Sequence, residues 1–134
     1  MSDILKYFHE VNAQKQINKL AKKYKNKKIV IYGAGEYFRL LKENFDLSNL
    51  NIIAIADKKF EISKENNWTE YKALIPEELK EYDFDVILVA LFDDVAVCDY
   101  LEYYLLLDTK NENKKVLSII EPTFWYAIKI LLGI

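Results

Sequence analysis

An apolar run that stops at two glycines, one residue apart, is the feature that most limits how this chain can fold: Lys27-Lys28-Ile29-Val30-Ile31-Tyr32-Gly33-Ala34-Gly35-Glu36. The β-branched residues before Gly33 suit a strand. From Glu36 onward, Phe38, Leu41 and Phe45 recur at helical spacing. A strand leading through a Gly-x-Gly turn into a helix is the opening unit of a dinucleotide-binding α/β fold, because the turn aims the free amides of the helix N-terminus at an anion. Gly33 permits the tight turn, and Gly35 leaves the backbone open to a diphosphate. Gly33, Ala34, Gly35 and Glu36 are therefore the candidate phosphate-binding residues, acting through the N–H groups of residues 35 to 37. The competing reading is that the glycines serve only the turn. The third glycine of the fingerprint is absent and Phe38 stands in its place. A side chain of that size is expected to push the helix off the sheet and widen the loop.

The remainder of the chain repeats the pattern. Asn51–Ala56, Val86–Leu91 and Val116–Ile120 read as further strands, with a short one at Tyr71–Ala73. Apolar runs without alternation suit a parallel sheet covered on both faces. Helices are expected over residues 3–25, with a phase shift near Asn12-Ala13, then from Pro76, over 94–107, and from Pro122 onward. Residues 58–70 read as a polar loop around Asn66-Asn67 and Trp68. The expected fold class is α/β: a doubly wound, mostly parallel Rossmann-like sheet of four to five strands, with an N-terminal helix and an apolar C-terminal helix. We expect a single domain over 1–134, divided into an N-terminal helical segment (1–26), an α/β core (27–120) and a C-terminal helix (121–134).

In such a sheet the strand before Gly33 lies at the centre, flanked on opposite sides by the strands at 51–56 and 85–91. Ligands bind at the carboxyl ends, where the strand order reverses. That crevice is bounded by Gly33-Ala34-Gly35, Asp57 and Leu91-Phe92-Asp93-Asp94. Asp57 follows Gly35 by 22 positions, a spacing at which an acid binds ribose hydroxyls; the alternative is a turn residue leading into Lys58-Lys59. Asp93 and Asp94 read either as a helix N-cap or as acceptors for sugar hydroxyls. Arg39 either reaches a phosphate or pairs with Glu36 or Glu43.

Composition sets limits on function. A net charge of -2 gives no general attraction to nucleic acid. No stretch has the roughly 18 apolar residues of a membrane-spanning helix. The first residues do not read as a secretory signal. Cys98 is the only cysteine, which excludes an intrachain disulfide, reads as a core thiol and makes a cytoplasmic location the expectation. His9 is the only histidine, so no histidine triad or zinc site is expected. Tyr24 and Lys28 have a dehydrogenase-like spacing but precede the first strand, and the lysines at 19–28 read as a solvated helix face. Residues 123–134 are apolar almost all round, broken only by Lys129. A helix of that kind has to be covered: by its own sheet, by a second copy in a homo-oligomer, or by a partner subunit.

Four segments together carry a resemblance: Lys28–Arg39, Ile53–Lys58, Ile75–Leu79 and Tyr82–Ala90. They resemble the Rossmann-like nucleotide-binding module of bacterial surface-polysaccharide biosynthesis proteins, over about residues 27–120. Such modules are attached to sugar transferases, methyltransferases and acetyltransferases, and many carry a further catalytic domain. In the related acyltransferases the module binds a nucleotide sugar, and the resemblance implies contacts at Gly33, Gly35 and Asp57. The expected ligand is a nucleotide or nucleotide sugar in capsule or lipooligosaccharide synthesis, with the chain acting as a sugar transferase or its accessory subunit. An NAD(H)-binding sensor or oxidoreductase, with NAD(P) as the cofactor class, and a non-catalytic interaction subunit with an empty glycine loop, are the alternatives. No catalytic residue is assigned.

Overall fold

The computed structural model describes residues 3–65 and 70–133. Of the loop expected at 58–70, residues 66–69, which include Asn66-Asn67 and Trp68, lie outside them. Two helices open the chain, α1 (Asp3–Glu10) and α2 (Ala13–Lys23). Asn12 breaks them apart in the left-handed conformation, φ 56°, at the phase shift legible in the sequence. There follow β1 (Ile29–Tyr32), α3 (Glu36–Asn44), β2 (Ile52–Ala56), β3 (Lys72–Leu74), β4 (Val86–Val89), α4 (Asp94–Tyr100), β5 (Lys115–Ser118) and α5 (Phe124–Leu132). The five strands form one sheet in the order β3-β2-β1-β4-β5, every pairing parallel. The fold is the expected α/β arrangement, with β1 at the centre.

The sheet's two faces explain the unbroken apolar runs. Along β1, Ile29 and Ile31 point into a core formed with Phe8, Ile17, Phe38 and Leu41 of α1 to α3. Val30 and Tyr32 point the other way, against Leu79, Phe84, Leu101 and Leu105. Both faces are dry, so no position on β1 tolerates a polar side chain. The register aligns Tyr32 with Ala56 and Val89. The carboxyl ends of the three central strands therefore finish level, and the loops after them meet.

Three local features differ from expectation. The loop after Asp57 starts with a 3₁₀ turn, Lys58–Glu61, whose Phe60 is buried. The helix after β4 does not run regularly to Leu107. It widens at Leu101–Leu105 into a π turn, closed by the Leu106 N–H on the Leu101 carbonyl at 2.9 Å, with Leu101, Leu105 and Leu106 all turned inward. The last helix starts at Phe124, because the Thr123 hydroxyl accepts the Tyr126 N–H at 3.1 Å and caps it. The polar turn before β5 hides one structural residue. Asn111 is buried, and its amide donates to the carbonyls of Leu79 (2.7 Å) and Tyr82 (2.9 Å), tying that turn to the chain leading into β4.

No described helix is long and apolar enough to cross a membrane. None of the described side chains of α5 is fully buried. Tyr126 meets the Tyr7 ring edge-on at 5.1 Å and Lys129 lies 3.7 Å from Glu10, so the helix rests on α1. Phe124, Trp125, Ile130, Leu131 and Leu132 stay 63 to 81 % exposed.

Candidate functional site

The two glycines have different jobs. Gly33 has φ +121°, and a Cβ there would stand 2.6 Å from the Ala90 carbonyl oxygen and 2.9 Å from the Leu91 side chain. The central loop and the loop after β4 thus approach each other only because Gly33 has no side chain. Gly35 adopts an extended conformation, φ -109°, at the N-cap of α3. A Cβ on it would meet nothing within 4 Å, and the residue is exposed. The fold itself does not require a glycine at 35.

The loop between the glycines is held from one side. The Ala34 N–H donates to Asp57 Oδ2 at 2.7 Å, and the Ala34 carbonyl accepts from the Lys59 ammonium. Asp57 Oδ1 accepts the Lys59 N–H at 2.9 Å and caps the 3₁₀ turn. One carboxylate and one ammonium, two residues apart in sequence, therefore brace both polar groups of Ala34. Asp57 serves this brace first. The sequence offers Asp57 either as a ribose acceptor or as a turn residue leading into Lys58-Lys59, and nothing in it places Lys59 beside the glycine loop: that contact spans 25 residues and exists only once β1 and β2 pair.

The N-terminus of α3 has no side-chain cap. It therefore presents backbone N–H groups and the positive end of the helix dipole at the mouth of the crevice. Arg39 does not point there. Its guanidinium bonds Glu36 (Nε to Oε2, 3.0 Å) and Glu43 (2.8 Å), the helical pairing foreseen as one of its two readings. Glu36 thereby turns its carboxylate along the helix, leaving its backbone amide as its candidate contribution. Phe38 is wholly buried, its ring 6.3 Å from that of Tyr71; it packs between α3 and the sheet.

Across the crevice, Asp93 occupies the N-cap position of α4 but its side chain makes no capping bond. Asp94 Oδ1 accepts only the adjacent Val95 N–H, at 2.8 Å. The two acids part around Leu91. Asp93 lines a cavity of about 300 Å³ with Tyr32, Lys58, Leu91 and Tyr100. Asp94 lines a second one, of about 580 Å³, with Tyr7, Tyr37, Leu91, Phe92 and Tyr126. The Lys58 ammonium sits 5.8 Å from the Tyr100 ring centre, at the first cavity. Burial raises the Tyr32 hydroxyl to about 12, with Tyr100 and Asp57 adding to it. Burial likewise lifts the Cys98 thiol to about 11, which keeps it protonated and unreactive at neutral pH.

Gly33, Ala34, Gly35 and Asp57 come together at the carboxyl ends of β1 and β2, while Asp93 and Asp94, after β4, line separate cavities. The residues that sequence reasoning missed are Lys58, Lys59 and the tyrosines at 7, 37 and 126. Among the described residues no group of three or more His, Cys, Asp or Glu is placed to hold a metal ion. What the arrangement presents is an N-terminus of α3 without a side-chain cap and two cavities with carboxylates on their walls.

Residues 25–96 match the model of the family described as C2185-like, N-terminal. No curated protein and no solved structure matches the chain.

Proposed function

This chain belongs to the family described as C2185-like, N-terminal, and we propose that it binds a nucleotide sugar, as a sugar transferase of surface-polysaccharide synthesis or the accessory subunit of one. The observation that carries this reading is Gly35. A glycine that the fold does not need stands exposed at the uncapped N-terminus of α3, where a diphosphate requires an open backbone. Lys59, on the neighbouring carbonyl, adds the positive charge that such an anion needs. The nucleoside then takes the Tyr32–Lys58–Tyr100 cavity, where Asp93 is the carboxylate on the wall for ribose hydroxyls. The sugar class itself rests on the resemblance of residues 27–120 to polysaccharide-synthesis modules.

Calorimetry with UDP, GDP and NADH, each on the wild type and on Gly35→Val, tests the reading. UDP or GDP should bind the wild type and lose at least about tenfold in affinity on the variant, since one obstructed charge-assisted hydrogen bond is worth about 1.5–3 kcal/mol. Silence of both diphosphates at millimolar concentration would sink it, and binding of NADH alone would transfer the site to a redox cofactor.

The same chain presents Phe124, Trp125, Ile130, Leu131 and Leu132 to solvent along α5. A continuous apolar strip of this kind marks a contact surface, and we place a second copy of the chain on it. Sedimentation should give a dimer for the wild type and a monomer for the double variant Trp125→Asp, Leu131→Asp; a monomeric wild type at all concentrations rules the contact out.

A further inference from the structure

We propose that the cavity between α1, the start of α3 and the loop after β4 is a sugar subsite, in which a polyhydroxylated ring is read by Tyr7, Tyr37 and Asp94. The inference rests on the nucleotide-sugar reading above and names the part of the ligand that this cavity takes.

The cavity measures about 580 Å³, within the range of small-molecule sites. Its walls are aromatic. Tyr37 meets Phe92 edge-on at 5.1 Å, and Tyr7 meets Tyr126 at 5.1 Å. Faces of this kind pack against the C–H faces of a sugar ring while leaving its hydroxyls free. Tyr37 is only 6 % exposed, yet it lines the cavity, and its hydroxyl has no hydrogen-bond partner among the described residues. A hydroxyl without a protein partner on a cavity wall is open to a ligand or to water.

The polar groups select among ligands. Asp3 and Asp94 supply acceptors, and no lysine or arginine lines the cavity, so a phosphate is repelled. Burial, reinforced by Asp94, holds the Tyr7 hydroxyl at about 12 and the Tyr37 hydroxyl higher still. Both are therefore donors at neutral pH. Donors and acceptors side by side suit hydroxyl groups, which are both at once.

Position completes the argument. Tyr37 is the second residue of α3, two positions after Gly35, and Leu91 lies between this cavity and the one lined by Tyr32 and Lys58. A diphosphate at the N-terminus of α3 would thus have a cavity on either side, the nucleoside toward Lys58 and the sugar toward Asp94.

The test compares each nucleoside diphosphate with its sugar conjugate: UDP with UDP-glucose and UDP-N-acetylglucosamine, and GDP with GDP-mannose. Titrations run by calorimetry on the wild type, Tyr37→Phe and Asp94→Asn. At least one conjugate should bind the wild type about tenfold or more tightly than its own diphosphate, the effect of one well-made hydrogen bond to a charged group. Either variant should erase most of that advantage while leaving the affinity for the diphosphate alone unchanged. Diphosphates that bind as tightly as every conjugate would overturn the subsite and leave the nucleotide reading standing. So would an advantage that both variants keep. No binding by any of the five compounds would overturn both.

Discussion

Gly33→Ala is expected to lower stability by about 3–5 kcal/mol, the sum of a strained left-half backbone and an overpacked contact. The backbone has φ +121°, and the new methyl would fall 2.6 Å from the Ala90 carbonyl oxygen. That oxygen belongs to the backbone and cannot swing aside. Relief requires the loop after β4 to draw back from β1, opening the crevice and pulling Ala90 from its 2.8 Å bond to the Tyr32 carbonyl. Native domains are stable by only about 5–15 kcal/mol, so the midpoint of thermal unfolding should fall by about 10 °C or more. Gly35→Ala is the control. Its methyl enters open space in an extended conformation, and stability should stay within about 0.5 kcal/mol of the wild type. Equal losses for the two variants, read by thermal and chemical denaturation, would remove the distinction on which the site assignment depends.

Asp57→Ala carries the second large effect. The carboxylate receives the Ala34 N–H at 2.7 Å and the Lys59 N–H at 2.9 Å. Ala34 is buried, so its amide loses its partner without access to bulk water. An unsatisfied buried donor costs about 1–3 kcal/mol and a lost cap about 1 kcal/mol, a total of about 2–4 kcal/mol. The Lys59 ammonium that bonds the Ala34 carbonyl stays, so the loop keeps one of its two braces. Asp57→Asn should fall between the two, because it keeps one acceptor and turns a donor toward the other N–H. Urea denaturation of the three proteins gives the ranking. A wild-type midpoint for Asp57→Ala would show that the loop is held by something else.

The sheet was legible because its signals are local. Each strand is a short apolar run between polar turns, and right-handed crossovers leave few orders for five such runs. The crevice followed from the same reasoning, since the strand ends carry their loops with them. Lys59 was hidden for a different reason. Its ammonium finds the Ala34 carbonyl across two paired strands, and a lysine after a strand looks the same whether it meets solvent or backbone. Tyr7 and Tyr126 were hidden more deeply, because their cavity exists only where α1 and α5 meet beside the end of β4. Periodicity said that α5 was apolar. It could not say that one tyrosine would rest on α1 while the strongest hydrophobes stayed outside. The π turn at Leu101–Leu105 escaped because its sequence supports an ordinary helix equally well, and only the packing of Leu101, Leu105 and Leu106 decides it.

The central claim is that the uncapped start of α3 is an anion site and not merely a turn. Amide chemical shifts, followed while UDP and GDP are titrated into the labelled protein, test it most directly. The account predicts saturable shifts, for at least one of the two, that are largest at Gly35, Glu36 and Tyr37 and absent in Gly35→Val. Shifts confined to the lysine-rich face of α2, or none at these three amides, would contradict it.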